Sequence, residues 1–141
     1  MTGHPTRKVL FLCTHNSARS QMAEALLRAL GGAAFEVFSA GTEATQVRPE
    51  ARAAMDELGI DIAAHWSKTL DGYLGQPFDL VITVCDDANQ ACPVFPGARR
   101  RLHWSIDDPA RVEGETGERL AAFRRARDEL RARIERELLA A

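Results

Sequence analysis

The stretch Cys13-Thr14-His15-Asn16-Ser17-Ala18-Arg19-Ser20 constrains this chain more than any other. It follows an apolar run, Val9-Leu10-Phe11-Leu12, and leads into a helical pattern beginning near Gln21. A strand, a tight loop and a helix N-terminus therefore meet within a few residues. A cysteine and an arginine bracket small or polar residues whose backbone N–H groups can converge, and the helix dipole favours an anion there. The loop reads as an oxyanion cradle, Thr14 through Ser20, with a thiol at its floor.

Each residue type suits that chemistry. A thiol at a helix N-terminus and near a guanidinium loses its proton more easily, so Cys13 is expected to be a thiolate near neutral pH. Arg19 supplies a planar fork for two oxygens of a tetrahedral anion. Asn16 tolerates the left-handed backbone that such a curl needs, and Ser20 can donate its hydroxyl to the Cys13 sulfur. The competing reading is a plain strand-to-helix turn with a buried cysteine and a surface arginine.

Beyond the loop, Ala23, Leu26, Leu27 and Leu30 repeat at helical spacing until Gly31-Gly32. Phe35 to Ser39 reads as a strand, and Ser39-Ala40-Gly41-Thr42 is small enough for another backbone to approach closely. Pro49 opens a helix to Leu58, with Ala54, Met55 and Leu58 inward and Gly59 as its stop. Residues 60 to 68 are less regular, and a short helix over Thr69 to Leu74 is an expectation whose boundaries the sequence does not set. Asp79 to Val84 is a β-branched run of the kind buried in parallel sheets. A fourth strand is expected around Leu102-His103-Trp104, with Arg99-Arg100-Arg101 as a solvated turn. A final helix runs from about Glu118 to Leu139, with Leu120, Phe123, Leu130, Ile134 and Leu138 as its core stripe and Glu129–Arg133 and Arg131–Glu135 as solvent-side pairs.

Strands alternating with helices imply an α/β fold, a three-layer sandwich around a four-stranded parallel sheet. With 141 residues, one domain spanning 1–141 suffices. Eighteen Lys and Arg against 20 Asp and Glu leave a net charge of -2, which gives no global field for nucleic acid or an anionic membrane. No secretory signal and no bilayer-length apolar run is legible, so a cytoplasmic monomer is expected. Three cysteines, an odd number, fit a reducing compartment and reactive roles better than permanent disulfides.

In parallel sheets ligands bind at the carboxyl ends of strands. Cys13 follows the first expected strand, Cys85 the third, and Asp108 lies past the fourth, so three reactive groups converge on one edge. Asp108, stiffened by Pro109, suits a general acid, with Asp107 as its local rival. Cys85 and Cys92 stand seven positions apart; on a helix they would lie about 10 Å apart along the axis, beyond the roughly 4.4 to 6.8 Å a disulfide needs between Cα atoms. They could join only if the intervening turn melts. Ordinary buried cysteines and a metal site are the alternatives, the latter requiring His65 or His103 from afar; no metal or cofactor is expected. His15 is read as shaping the loop or its rim, and His65 and His103 as structural.

Taken together, the Leu12-to-Glu24 stretch, Ser39-Ala40-Gly41-Thr42, the Cys85 and Cys92 pair, and His103-Trp104 leading to Asp107-Asp108-Pro109-Ala110 resemble the low-molecular-weight tyrosine phosphatase family, and within it the thioredoxin-coupled arsenate reductases. The resemblance implies that Cys13 attacks arsenate held by Arg19 and the loop amides, with phosphate or sulfate as analogues, while Asp108 protonates the departing oxygen. Cys85 would then attack the Cys13 sulfur and expel arsenite, and Cys92 would attack Cys85 to present a Cys85–Cys92 disulfide to thioredoxin. Mycothiol or glutaredoxin are the alternative donors. Some relatives hold potassium with a set that Asn16, Glu24 and Ser39 resemble; here Lys68 stands where a carboxylate is expected, and its ammonium is read as replacing the ion. Ala110 stands where the phosphatase branch usually presents tyrosine.

The runner-up is a tyrosine phosphatase using Cys13, Arg19 and Asp108, which has no use for Cys85 and Cys92. A third reading is a non-catalytic thiol sensor or arsenite-binding protein, with the cysteines as soft ligands.

Overall fold

Residues 6–85, 95 and 97–139 are described by the structure, a computed structural model. Strand β1 (Arg7–Cys13) is the apolar run of the sequence, and Val9 through Cys13 are all buried. Helix α1 (Arg19–Gly31) follows the loop and returns the chain to β2 (Phe35–Gly41). Helix α2 (Pro49–Asp56) begins on its proline, and Gly59 ends that turn at φ +74°, a conformation that favours glycine. Strands β3 (Phe78–Thr83) and β4 (Ala98–His103) and helix α3 (Thr116–Ile134), continued by a wider turn to Leu139, complete the described elements.

All four strands are parallel, in the order β2-β1-β3-β4. The chain therefore leaves β1 toward one neighbour and later returns to its other side. That reversal opens a crevice at the carboxyl ends of β1 and β3, the standard ligand position in such sheets. Register places Leu12 opposite Thr83 and Cys13 opposite Gly41. Cys13 and Cys85 consequently emerge at the same crevice.

Alternation along β1 divides the core in two. Val9 and Phe11 pack with Met22, Leu26 and Leu27 of α1, Ala54 and Met55 of α2, and Phe123, Leu130 and Ile134 of α3. Leu10 and Leu12 face the other way, against Phe78, Val81 and Phe95, with Leu70 and Tyr73 of the short 3-10 turn alongside. The sheet is thus covered on both faces.

Three local expectations change. Leu30 is exposed, together with Arg28 and Ala29, because the last turn of α1 has already passed the core. Arg99-Arg100-Arg101 is not a turn: these residues lie within β4, with Arg100 opposite Leu80 and Arg101 opposite Val81. An edge strand tolerates such charge, which also discourages pairing with another chain. On α3, Arg131 meets Glu135 at 3.7 Å as expected, but Arg133 reaches forward to Glu137 at 3.2 Å rather than back to Glu129.

Helices α2 and α3 are tied by charge as well as packing. Arg127, almost wholly buried, donates to the Ala54 carbonyl and to Glu57, both at 2.8 Å. Arg124 grips the same Glu57 carboxylate through two nitrogens. No described helix is long and apolar enough to cross a membrane.

Candidate active site

The loop between β1 and α1 takes its shape from Asn16, whose φ of 49° is the one left-handed non-glycine backbone among the described residues. Its amide is fully engaged behind the loop. It donates to Ser20 Oγ (2.7 Å) and Ser39 Oγ (3.0 Å), and its oxygen accepts from Gln21 Nε2 (2.8 Å) and the Lys68 N–H (3.0 Å). These bonds fix a conformation that would otherwise be costly for a residue with a Cβ. Gly41 closes the back of the loop. A Cβ there would lie 2.7 Å from the Thr14 carbonyl and 2.8 Å from the Asn16 nitrogen, which explains the small residues ending β2.

Helix α1 starts without a side-chain cap at Ala18 and without an acidic residue in its first turn. Its leading N–H groups are therefore left for an anion rather than for a capping oxygen. Cys13 lies below them, buried and reduced. Its thiol is brought down to about 5 by a hydrogen bond from the Cys85 side chain, by Ser20 and by the Arg19 charge, against the opposing effect of burial. The Ser20 hydroxyl donates to the Cys13 sulfur at 3.2 Å.

Arg19 and Asp108 meet Cys13 in a small cleft of about 190 Å3. Arg19 donates to the Ile106 carbonyl at 2.9 Å, which aims its fork, and its other terminal nitrogen stands 3.7 Å from Asp108 Oδ2. Asp108 caps the short turn Pro109–Arg111, accepting from the Ala110 N–H at 3.0 Å through Oδ1. Its aspartate-proline pair therefore sets both the turn and the direction of the carboxylate. Ser17, Ala18 and His15 complete the near wall. The Thr14, Asn16 and Ser20 side chains are engaged with Cys85, the loop's support and Cys13 respectively, so an anion would meet these residues through their main chain.

Cys85 is buried and reduced just beyond β3, and its sulfur lies 3.3 Å from the Thr14 hydroxyl. It also faces a recess shared with Arg19, Asp107 and Asp108. The structure thus brings Cys13, Arg19, Cys85 and Asp108 together. Cys92 lies outside the described residues.

His15 is half-exposed at the rim, 3.3 Å from Glu43, while His65 Nδ1 pairs with Gln21 Oε1 at 2.9 Å and His103 Nδ1 with Thr83 Oγ1 at 2.7 Å. Among the described residues no group of three or more His, Cys, Asp and Glu could hold a metal. The Asn16, Glu24 and Ser39 set does not fit a potassium ion either. The Lys68 ammonium already stands there, 3.8 Å from Glu24 and 3.5 Å from Ser39 Oγ, and Ser39 donates to Glu24 at 2.5 Å.

Two residues at the cleft were not singled out in the sequence, Arg48 and Arg111. Arg48 precedes the proline that starts α2, and Arg111 ends the turn that begins at Asp108. Neither position carries a local motif; three-dimensional closure alone brings them to Cys13.

The fold and the loop together define a phosphatase-like α/β enzyme, with a Cys-to-Arg loop closed over the end of its first strand. The chain belongs to the family described as low molecular weight phosphotyrosine protein phosphatase, whose model matches residues 8–141. It is 49% identical over 126 residues to the arsenate reductase of Halalkalibacterium halodurans, covering 89% of this chain and 91% of that protein. Among solved structures, an arsenate reductase in the phosphate binding state superposes with a TM-score of 0.81 at 34% identity, over 93% of this chain and 95% of that one. The thioredoxin-dependent arsenate reductase of Corynebacterium glutamicum is similar at 31% identity with a TM-score of 0.66, over 95% of this chain and 64% of that one.

Proposed function

We infer that this chain is a thioredoxin-coupled arsenate reductase. The observation that carries the reading is the Cys85 thiol hydrogen-bonded to the acidified Cys13 sulfur at the base of the anion cleft. Hydrolysis of a phosphate ester needs one thiolate, and a second reduced cysteine beside it serves disulfide chemistry. The similarity to arsenate reductases over about nine-tenths of the chain supports the same reading.

In the proposed sequence, the Cys13 thiolate attacks arsenic(V) held by Arg19 and the loop amides. An arsenic–oxygen bond breaks, and Asp108 gives its proton to the leaving oxygen, which departs as water. Cys85 then attacks the Cys13 sulfur; as that sulfur–sulfur bond forms, the sulfur–arsenic pair passes to arsenic, releasing arsenite. Two thiols are oxidised for two electrons gained by arsenic. Cys92 next attacks Cys85, freeing Cys13 and leaving a Cys85–Cys92 disulfide for thioredoxin. We place the enzyme in the cytoplasm, as a single-domain monomer, with phosphate and sulfate as analogues of its substrate. Among the described residues that line the cleft, Ala110 included, none is a phenylalanine, tyrosine or tryptophan to stack on a tyrosyl group, so phosphatase activity is secondary.

The deciding experiment follows arsenate-dependent NADPH oxidation with thioredoxin and its reductase, alongside hydrolysis of a small aryl phosphate. Cys85→Ser and Cys92→Ser are each expected to stop arsenate turnover while ester hydrolysis persists. Full multiple-turnover reduction by both variants would overturn the relay. Wild-type ester hydrolysis without arsenate reduction would favour the phosphatase.

A further inference from the structure

The cleft over Cys13 shares His15, Ser17 and Arg48 with a second, larger groove of about 570 Å3. Positive charge around them is unequally committed. Arg19 is turned inward to the Ile106 carbonyl and Asp108. Arg111 stands 3.8 Å from the same Asp108 oxygen. The rim carboxylate of Glu43 faces His15. Arg48 is exposed, and among the described residues its guanidinium has no carboxylate or hydrogen-bond partner.

An exposed arginine without a partner is ordinarily a solvated one. Two features separate Arg48 from that case. Its backbone N–H donates to the Ser17 carbonyl at 2.8 Å, and Pro49 fixes the chain just after it, so its Cα is held to the loop itself. It also lines both clefts, the one over Cys13 included, so its charge stands beside the space an anion enters to reach Cys13. The chain as a whole carries a net charge of -2, so its overall field does not draw an oxyanion in. A local cation must do so, and a placed charge at the mouth of a cleft raises both arrival rate and occupancy.

We propose that Arg48 is the capture and specificity residue of the site, an uncommitted guanidinium lining both clefts that draws tetrahedral dianions toward Cys13. The proposal rests on the oxyanion reading of the cradle. Arg19 then orients the bound ion, and Arg48 sets how readily it is recruited and how strongly doubly charged ions are preferred over singly charged ones.

The test measures protection of Cys13 from iodoacetamide by inorganic phosphate, read by intact-protein mass spectrometry at low and high salt, for wild type, Arg48→Gln and Arg48→Lys. Phosphate protection of Arg48→Gln is expected to weaken about tenfold at low salt and to lose most of its salt dependence. Arg48→Lys, which keeps the charge and the backbone bond to Ser17, restores both. Wild-type protection in the glutamine variant, failure of lysine to restore it, or no phosphate protection in the wild type would each overturn the proposal. Arsenate turnover is measured in parallel. Its absence in the wild type would overturn the reductase reading alone, since phosphate protection tests Arg48 without any redox step.

Discussion

The Thr14 hydroxyl lies 3.3 Å from the Cys85 sulfur, so the residue following the nucleophile also touches the second cysteine. Either atom can donate while Cys85 is a thiol, but once its sulfur is charged only the Thr14 hydroxyl can. Such a bond grows stronger as Cys85 gains negative charge on the way to attack. Thr14→Val, which keeps the shape and removes the donor, should slow arsenate turnover about tenfold, the worth of one hydrogen bond to a developing charge. The loss should fall far more on arsenate turnover than on aryl phosphate hydrolysis. Equal losses in the two assays would count against a role at Cys85.

The acidity of Cys13 leads to a second expectation. A thiol held near 5 remains ionised across the neutral range, so iodoacetamide should alkylate Cys13 with a midpoint near pH 5. Cys85→Ala removes the largest of the influences that lower it and should move the midpoint upward. Ser20→Ala should move it the same way by less. A wild-type midpoint in the ordinary thiol range, above pH 8, would show that the hydrogen bonds do not act as described.

Much of this site was legible because its parts are local in sequence. The strand, the Cys13-to-Arg19 loop and the start of α1 are contiguous, and the small residues at Ser39 to Gly41 announced a close approach that Gly41 makes. Periodicity placed the core of α3, since Phe123, Leu130 and Ile134 obey one helical face. It failed at Arg99-Arg100-Arg101, because an edge strand is free to carry charge and shows no apolar pattern to read. It failed again at Leu30, where helical spacing continued after the core had ended. Arg48 and Arg111 could not be found locally at all: one precedes a helix and the other ends a turn, and they meet only when α2 and the turn after β4 close over the same loop.

The contact between α2 and α3 predicts how the fold responds to acid. Glu57 is lowered from 4.5 to about 2 by hydrogen bonds from Arg124 and then Arg127. Its folded form therefore favours the carboxylate, and its stabilising contribution is full above the unfolded value and lost as pH falls from 4.5 through about 2. Urea midpoints measured between neutral pH and pH 3 should fall more steeply for wild type than for Glu57→Gln. Parallel curves would mean that the exposed pair is screened to nothing.

The Lys68 ammonium stands behind the cradle within reach of both Glu24 and Ser39. Burial pushes Lys68 below its ordinary value while Glu24 pulls it back, and its ammonium also lies 5.2 Å from the Trp66 ring centre. Ser39 links this charge to the site, since it receives the Asn16 amide that holds the left-handed turn of the loop. A built-in cation at that place makes an added one redundant. Arsenate turnover should therefore be the same, within about twofold, in sodium and in potassium buffers of equal ionic strength, whereas Lys68→Met should lose activity because the cation beside Ser39 and Glu24 Oε1 is gone, Arg28 holding only the other Glu24 oxygen at 2.6 Å. If wild-type activity dropped severalfold in sodium, the ammonium would not be the resident cation, and the loop would need an ion that Lys68 does not replace.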